Sequence, residues 1–98
     1  MNDYCIICGG HNDCTHHLLF GNSIRKLADE DGIYIPMCNG CHNMAVKATD
    51  RIHGNSMAEK LSKMLGQALW EKRAIVDKGI GENEARTQFM GRYGRSYL

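Results

Sequence analysis

Cys5-Ile6-Ile7-Cys8, then His16-His17, then Cys38-Asn39-Gly40-Cys41-His42, with the chain running on to His53, is the stretch that decides the fold. Two Cys-x-x-Cys knuckles separated by a loop make a four-thiolate cage suited to one tetrahedral Zn²⁺, because each knuckle turns tightly enough to aim both sulfurs at one ion. Cys5, Cys8, Cys38 and Cys41 are therefore expected to hold a structural zinc. Gly9-Gly10 supplies the backbone freedom the first turn needs. Cys14 lies outside both pairs and is expected to be a free buried thiol. The histidines fall outside the zinc count and remain free for chemistry.

A chain of 98 residues is expected to form one domain, 1–98, with a zinc-stapled core over 4–53 and a helical extension and tail over 55–98. Domains this small have difficulty burying enough apolar surface to offset chain entropy, so a metal staple makes energetic sense. With 7% aromatic and 23% charged residues the composition is that of a soluble globular chain. No apolar run approaches the roughly 20 residues needed to cross a bilayer, so no membrane partner is expected. Met1-Asn2-Asp3-Tyr4 carries no basic patch leading into an apolar segment, which makes a reducing cytoplasm the expected compartment and favours thiolates on metal over disulfides.

Formal net charge is only +1, but it is unevenly spread. Up to residue 43, Arg25 and Lys26 stand against five carboxylates; from residue 44 onward ten cations stand against six. That asymmetry is compatible with a phosphate-facing helical half, and equally with a solvated helix face.

In chain order, Cys14 to Phe20 reads as a short strand on which His16 and His17 point to opposite faces. Ser23 is placed to cap a helical turn through Ile24, Leu27 and Ala28, ended by Asp29-Glu30-Asp31-Gly32. Ile33-Tyr34-Ile35-Pro36-Met37 reads as a second strand, Pro36 restricting it to an edge or end. A helix is expected from the second knuckle through His42 to Arg51. Ser56 and Glu59, in capping-box register, open a longer helix whose apolar stripe, Met57, Leu61, Met64, Leu65, Ala68 and Leu69, is expected in the core. Gly79 and Gly81 break it, and a last short helix carries Ala85 and Phe89.

The order of knuckle, histidine pair at a strand end, loop, strand and Cys-x-x-Cys-His resembles the HNH endonucleases with a ββα-metal core, in particular small phage-type members that carry a zinc knuckle pair. The resemblance covers residues 4 to 53 and, more loosely, Gln67 to Glu71 and the tail from Phe89. It implies a small α+β fold, a zinc-stapled, treble-clef-like core followed by a C-terminal helical region, and hydrolysis of DNA phosphodiesters. By position, His17 matches the general base, while His16 and His42 match ligands of a second, catalytic divalent metal. A neutral imidazole suits the base because it can take a proton from water near neutral pH. Imidazole ligands lean toward Mn²⁺, Ni²⁺ or Zn²⁺ over Mg²⁺.

One position departs from that pattern: the Asn or His expected ahead of the second knuckle is replaced by the Gly32 to Ile35 run. His53 is the substitute, but 11 residues beyond His42 on an unbroken helix is about 16 Å of rise. It can join the site only if the helix stops early and the chain folds back, which Gly54-Asn55 would permit. The expected partner is DNA, with Arg25, Lys26, Lys47, Arg51, Arg92 and Arg95 as phosphate contacts, in the host cytoplasm if phage-encoded. A non-catalytic zinc module that binds nucleic acid or a protein is the alternative; a thiol redox protein is disfavoured by the second knuckle. The sequence leaves the oligomeric state open between a monomer and a homodimer.

Overall fold

The computed structural model describes residues 3–98; Met1 and Asn2, at the start of the segment read for a leader, lie outside the described residues. The first knuckle is a tight turn, with Gly9 N–H donating to Cys5 O at 2.9 Å and Cys5 N–H to Gly10 O at 2.9 Å. An isolated bridge between Tyr4 and His11 closes its base. β1 (Cys14–His17) and β2 (Tyr34–Met37) then pair antiparallel, Cys14 opposite Met37 and His17 opposite Tyr34. The Ile6 N–H donates to Pro36 O at 3.1 Å and ties the knuckle to this two-stranded sheet. Pro36 thus sits where its missing N–H costs no ladder bond.

Between the strands runs α1 (Ile24–Asp31). It is longer than the turn expected there, since Asp29, Glu30 and Asp31 lie inside it and Gly32 ends it. Ser23 occupies the position before it at φ 68° and makes no side-chain capping bond, so the expected cap is not formed.

The helix expected from Cys41 to Arg51 is also absent. After the second knuckle the chain makes one π-helical turn (Gly40–Met44), runs extended, then makes a 3₁₀ turn (Ala48–Asp50). It then folds back on itself: the N–H of Ile52 donates to Cys41 O at 2.8 Å and that of His53 to His42 O at 2.9 Å. Arg51 locks the return, its guanidinium donating to His53 O and to Ala45 O, both at 2.7 Å. Gly54, at φ +80°, completes a turn whose conformation L side chains rarely adopt.

α2 (Ser56–Lys78) follows, capped by Asn55, whose side chain accepts from Ala58 N–H at 3.2 Å. The Ser56/Glu59 capping box is not formed, because Glu59 turns to His53 instead. α3 (Glu82–Tyr93) packs back on α2. Leu18, Leu19, Ala28, Ile33, Phe89 and Tyr93 form the core, with Leu69 and Trp70 of α2 against it. The last helix carries Ala85 and Phe89 as expected, and both are buried.

The apolar stripe of α2 is a correction. Met57, Leu61, Met64 and Leu65 are exposed, and Ser62, Gly66 and Gln67 are buried in their place. The reason is steric. A Cβ built on Gly66 would lie 2.8 Å from Leu19 Cγ and 3.0 Å from Leu18 Cβ, so the helix comes close enough to the chain after β1 that only small residues fit between. Among the described residues, no helix is long and apolar enough to cross a membrane.

Candidate functional site

The four knuckle cysteines converge, their sulfurs all lying within 4.8 Å of one another. Cys8 Sγ and Cys38 Sγ are 3.7 Å apart. Two sulfurs at tetrahedral corners around a zinc with bonds of about 2.3 Å are separated by roughly 3.8 Å. Backbone N–H groups of Gly10 and Cys41 approach Cys8 Sγ and Cys38 Sγ, each at 3.4 Å, the support a thiolate needs. Burial pushes the Cys5 thiol up, but the N–H groups of Cys8, Cys38 and Ile7 outweigh it and bring it down to about 6. Cys41 is held well above the usual thiol range by burial and by hydrogen bonds with the other thiols. Four sulfurs this close ionise together only around a cation, and the cluster could hold a structural metal ion such as zinc.

A second cluster forms around His16 of β1. The imidazoles of His16, His42 and His53 each offer a nitrogen within 4.8 Å of the other two. His16 comes from β1, His42 from the π turn, and His53 from the folded-back segment that an unbroken helix would have carried away.

Each ring has one nitrogen tied to the protein. His16 is fully buried, with Nε2 2.8 Å from Ser62 Oγ. That hydroxyl donates its only proton to Leu18 O at 2.9 Å, so it accepts from His16, which must carry its hydrogen on Nε2. His16 Nδ1 is then a bare lone pair, and it is buried with no protein partner. His53 Nδ1 lies 3.1 Å from Glu59 Oε2, a carboxylate that can only accept, which leaves Nε2 free. His42 Nδ1 lies 3.5 Å from Cys14 Sγ, again leaving Nε2. Burial foremost, with His42 and His53 alongside, pushes His16 down to about 3; burial also lowers His42. Three imidazoles, each oriented by a neighbour through its other nitrogen, are the donor set that transition metals take.

His17 leaves β1 in another direction, as strand alternation requires. Its Nε2 is 2.9 Å from Asp29 Oδ1 on α1, so the ring is held by a carboxylate and Nδ1 is left over. His17, His42, His53, Arg25, Phe20 and Thr15 line one cavity of about 160 Å³.

The expected phosphate contacts divide. Arg25 reaches the cavity, while Lys26, Lys47 and Arg95 are exposed. Arg51 spends its guanidinium on backbone carbonyls. Arg92 is bound through two nitrogens to Asp31, both at 2.7 Å, and belongs to the staple between α1 and α3. Four residues of the site went unnoticed in the sequence: Ser62, Glu59, Asp29 and Cys14. In the sequence Glu59 fitted a cap, Asp29 a helix end and Cys14 a spare thiol, and Ser62 carried no signal.

No family model matches this chain, and comparison with curated proteins and with solved structures found none similar to it.

Proposed function

We propose that this chain is a metal-dependent endonuclease of the HNH type, cutting DNA phosphodiesters with His17 as general base and a divalent cation held by His16, His42 and His53. The observation that carries the reading is the buried, unpartnered Nδ1 of His16, on a ring clustered with two further imidazoles that each have a free nitrogen. A buried lone pair without a donor costs free energy, and a cation at that point removes the cost. The ββα-metal core then survives in a modified form, with a π turn and a fold-back replacing the usual helix.

His17 takes a proton from the attacking water, with Nδ1 as the nitrogen available for it. Asp29 holds the ring by its Nε2–H, taking over the orienting task left open between Gly32 and Cys38. The same carboxylate stabilises the imidazolium that forms once the proton has moved. Arg25, facing the cavity, neutralises a phosphate oxygen. When bound, the cation supplies positive charge against the phosphate and the departing 3′-oxygen. The cysteine site keeps the two strands and the π turn in register without touching substrate.

A plasmid-nicking assay of the zinc-loaded protein with Mn²⁺, Ni²⁺, Zn²⁺ and Mg²⁺ tests this. At least one metal should support nicking, and His17→Ala should slow it roughly 10²- to 10⁴-fold while leaving affinity for the second metal intact. Absence of cleavage with every metal, or His17→Ala cleaving at the full rate, refutes the assignment.

A further inference from the structure

We propose that the groove between the first half of α2 and the C-terminal tail is a track for a DNA strand, in which Lys60, Lys63 and Arg95 hold phosphates flanking the cut. The inference rests on the nuclease reading for the identity of the ligand, while the groove stands on separate observations. Its volume is about 420 Å³, and Lys60, Lys63, Met64 and Arg95 lie along it with Tyr97 at the tail side.

Three features set these cations apart. None of the three makes an ion pair among the described residues, whereas Arg86 and Arg92 are paired to carboxylates and Arg51 is spent on carbonyls. Three cations and no Asp or Glu side chain line the groove, whose remaining lining is Met64, Ser96, Tyr97 and Leu98. Two of the three charges, Arg95 and Lys63, also lie against aromatic rings. Arg95 lies 4.5 Å from the Tyr97 ring centre, and Lys63 Nζ lies 5.8 Å from the same ring.

The groove also adjoins the candidate active site. Lys63 Nζ is 4.6 Å from the centre of the Phe20 ring, and that ring lies against His53 with centroids 4.8 Å apart. Phe20 and Arg25 both line the histidine cavity. A backbone leaving that cavity past Phe20 reaches Lys63. Lys60 is one turn before Met64 on the same helix and continues the line. Phosphates along a strand need such a row of cations, and their neutralisation releases counterions in proportion to the contacts made.

The test is fluorescence anisotropy of a labelled 20-base-pair duplex with full-length, zinc-loaded protein carrying His17→Ala, between 50 and 200 mM KCl. Relative to that protein, adding Lys60→Ala, Lys63→Ala and Arg95→Ala should flatten the slope of log affinity against log salt by about 2 to 3 and weaken binding roughly 10- to 100-fold at low salt. Zinc content and Tm report whether the combined variant folds. If it does not, Lys60→Ala alone should still flatten the slope by about 0.9. An unchanged slope, or a parent protein that binds a polyglutamate peptide but no DNA, overturns the proposal. Because no cleavage is read, the two ideas fail separately. A wild type that cuts DNA while the slope ignores these residues removes the track alone. Loss of slope in a protein that never cuts removes the nuclease alone.

Discussion

Ser62→Ala should damage both the fold and the second metal site, although Ser62 offers the metal nothing. Its hydroxyl accepts from His16 Nε2 at 2.8 Å and donates to Leu18 O at 2.9 Å, in a position shut off from solvent. Alanine removes both bonds and leaves a buried N–H and a buried carbonyl unpaired, at about 1 to 3 kcal/mol each. Partial relaxation brings the expected loss to about 2 to 4 kcal/mol, or roughly 10 to 20 °C in Tm for a domain of this size. The ring of His16 also loses the partner that keeps the hydrogen on Nε2, so Nδ1 is no longer held as the free lone pair. Loss of such an orienting bond typically lowers metal affinity about 10- to 100-fold. Calorimetric titration of Ni²⁺ or Mn²⁺ into zinc-loaded protein reads the affinity, and thermal melting reads the stability. Nitrogen-15 NMR of the metal-free imidazoles reads the tautomer, with the His16 proton expected on Nε2. A Ser62→Ala protein that binds the second metal within twofold of wild type, or a His16 proton on Nδ1, would refute the reasoning.

Other outcomes follow from the same geometry. Arg51→Ala releases the fold-back, since the guanidinium bonds His53 O and Ala45 O; titration should find the second metal bound more weakly, while DNA affinity of the zinc-loaded protein without the second metal changes little. Gly66→Ala should lower Tm, because overpacking against Leu18 and Leu19 at about 1 to 3 kcal/mol exceeds the helix-propensity gain of about 1. Gly91→Ala in α3, with nothing within 4 Å of the added Cβ, should raise Tm by a few degrees, and both are read by thermal melting. Cys38→Ser should cost the protein its zinc by elemental analysis and unfold it, since metal binding on the order of 10 kcal/mol matches the stability of a whole domain. Cys14→Ala should keep that zinc and weaken only the second site, where Cys14 touches His42.

Local signals were enough for the elements that local chemistry controls. A Cys-x-x-Cys turn aims its two sulfurs whatever surrounds it, so the first cluster was legible from spacing. The β-branched and aromatic run after Gly32 made a strand, and Ala85 and Phe89 lie on the last helix, where the sequence placed them. The adjacency of His16 and His17 on β1 likewise sent them to different partners, because side chains alternate along a strand. What spacing could not convey was where the backbone would break. His42 to Arg51 has helical composition, yet the chain leaves the π turn after Met44, and the return held by Arg51 brings His53 to His42. The face of α2 was decided the same way. Its apolar stripe follows the helical period, but close approach to Leu18 and Leu19 admits only Gly66 and Ser62, so the large side chains turn outward. Asp29, Glu59 and Ser62 acquire their partners by packing between elements 6 to 46 residues apart, and no periodicity in one chain records such a distance.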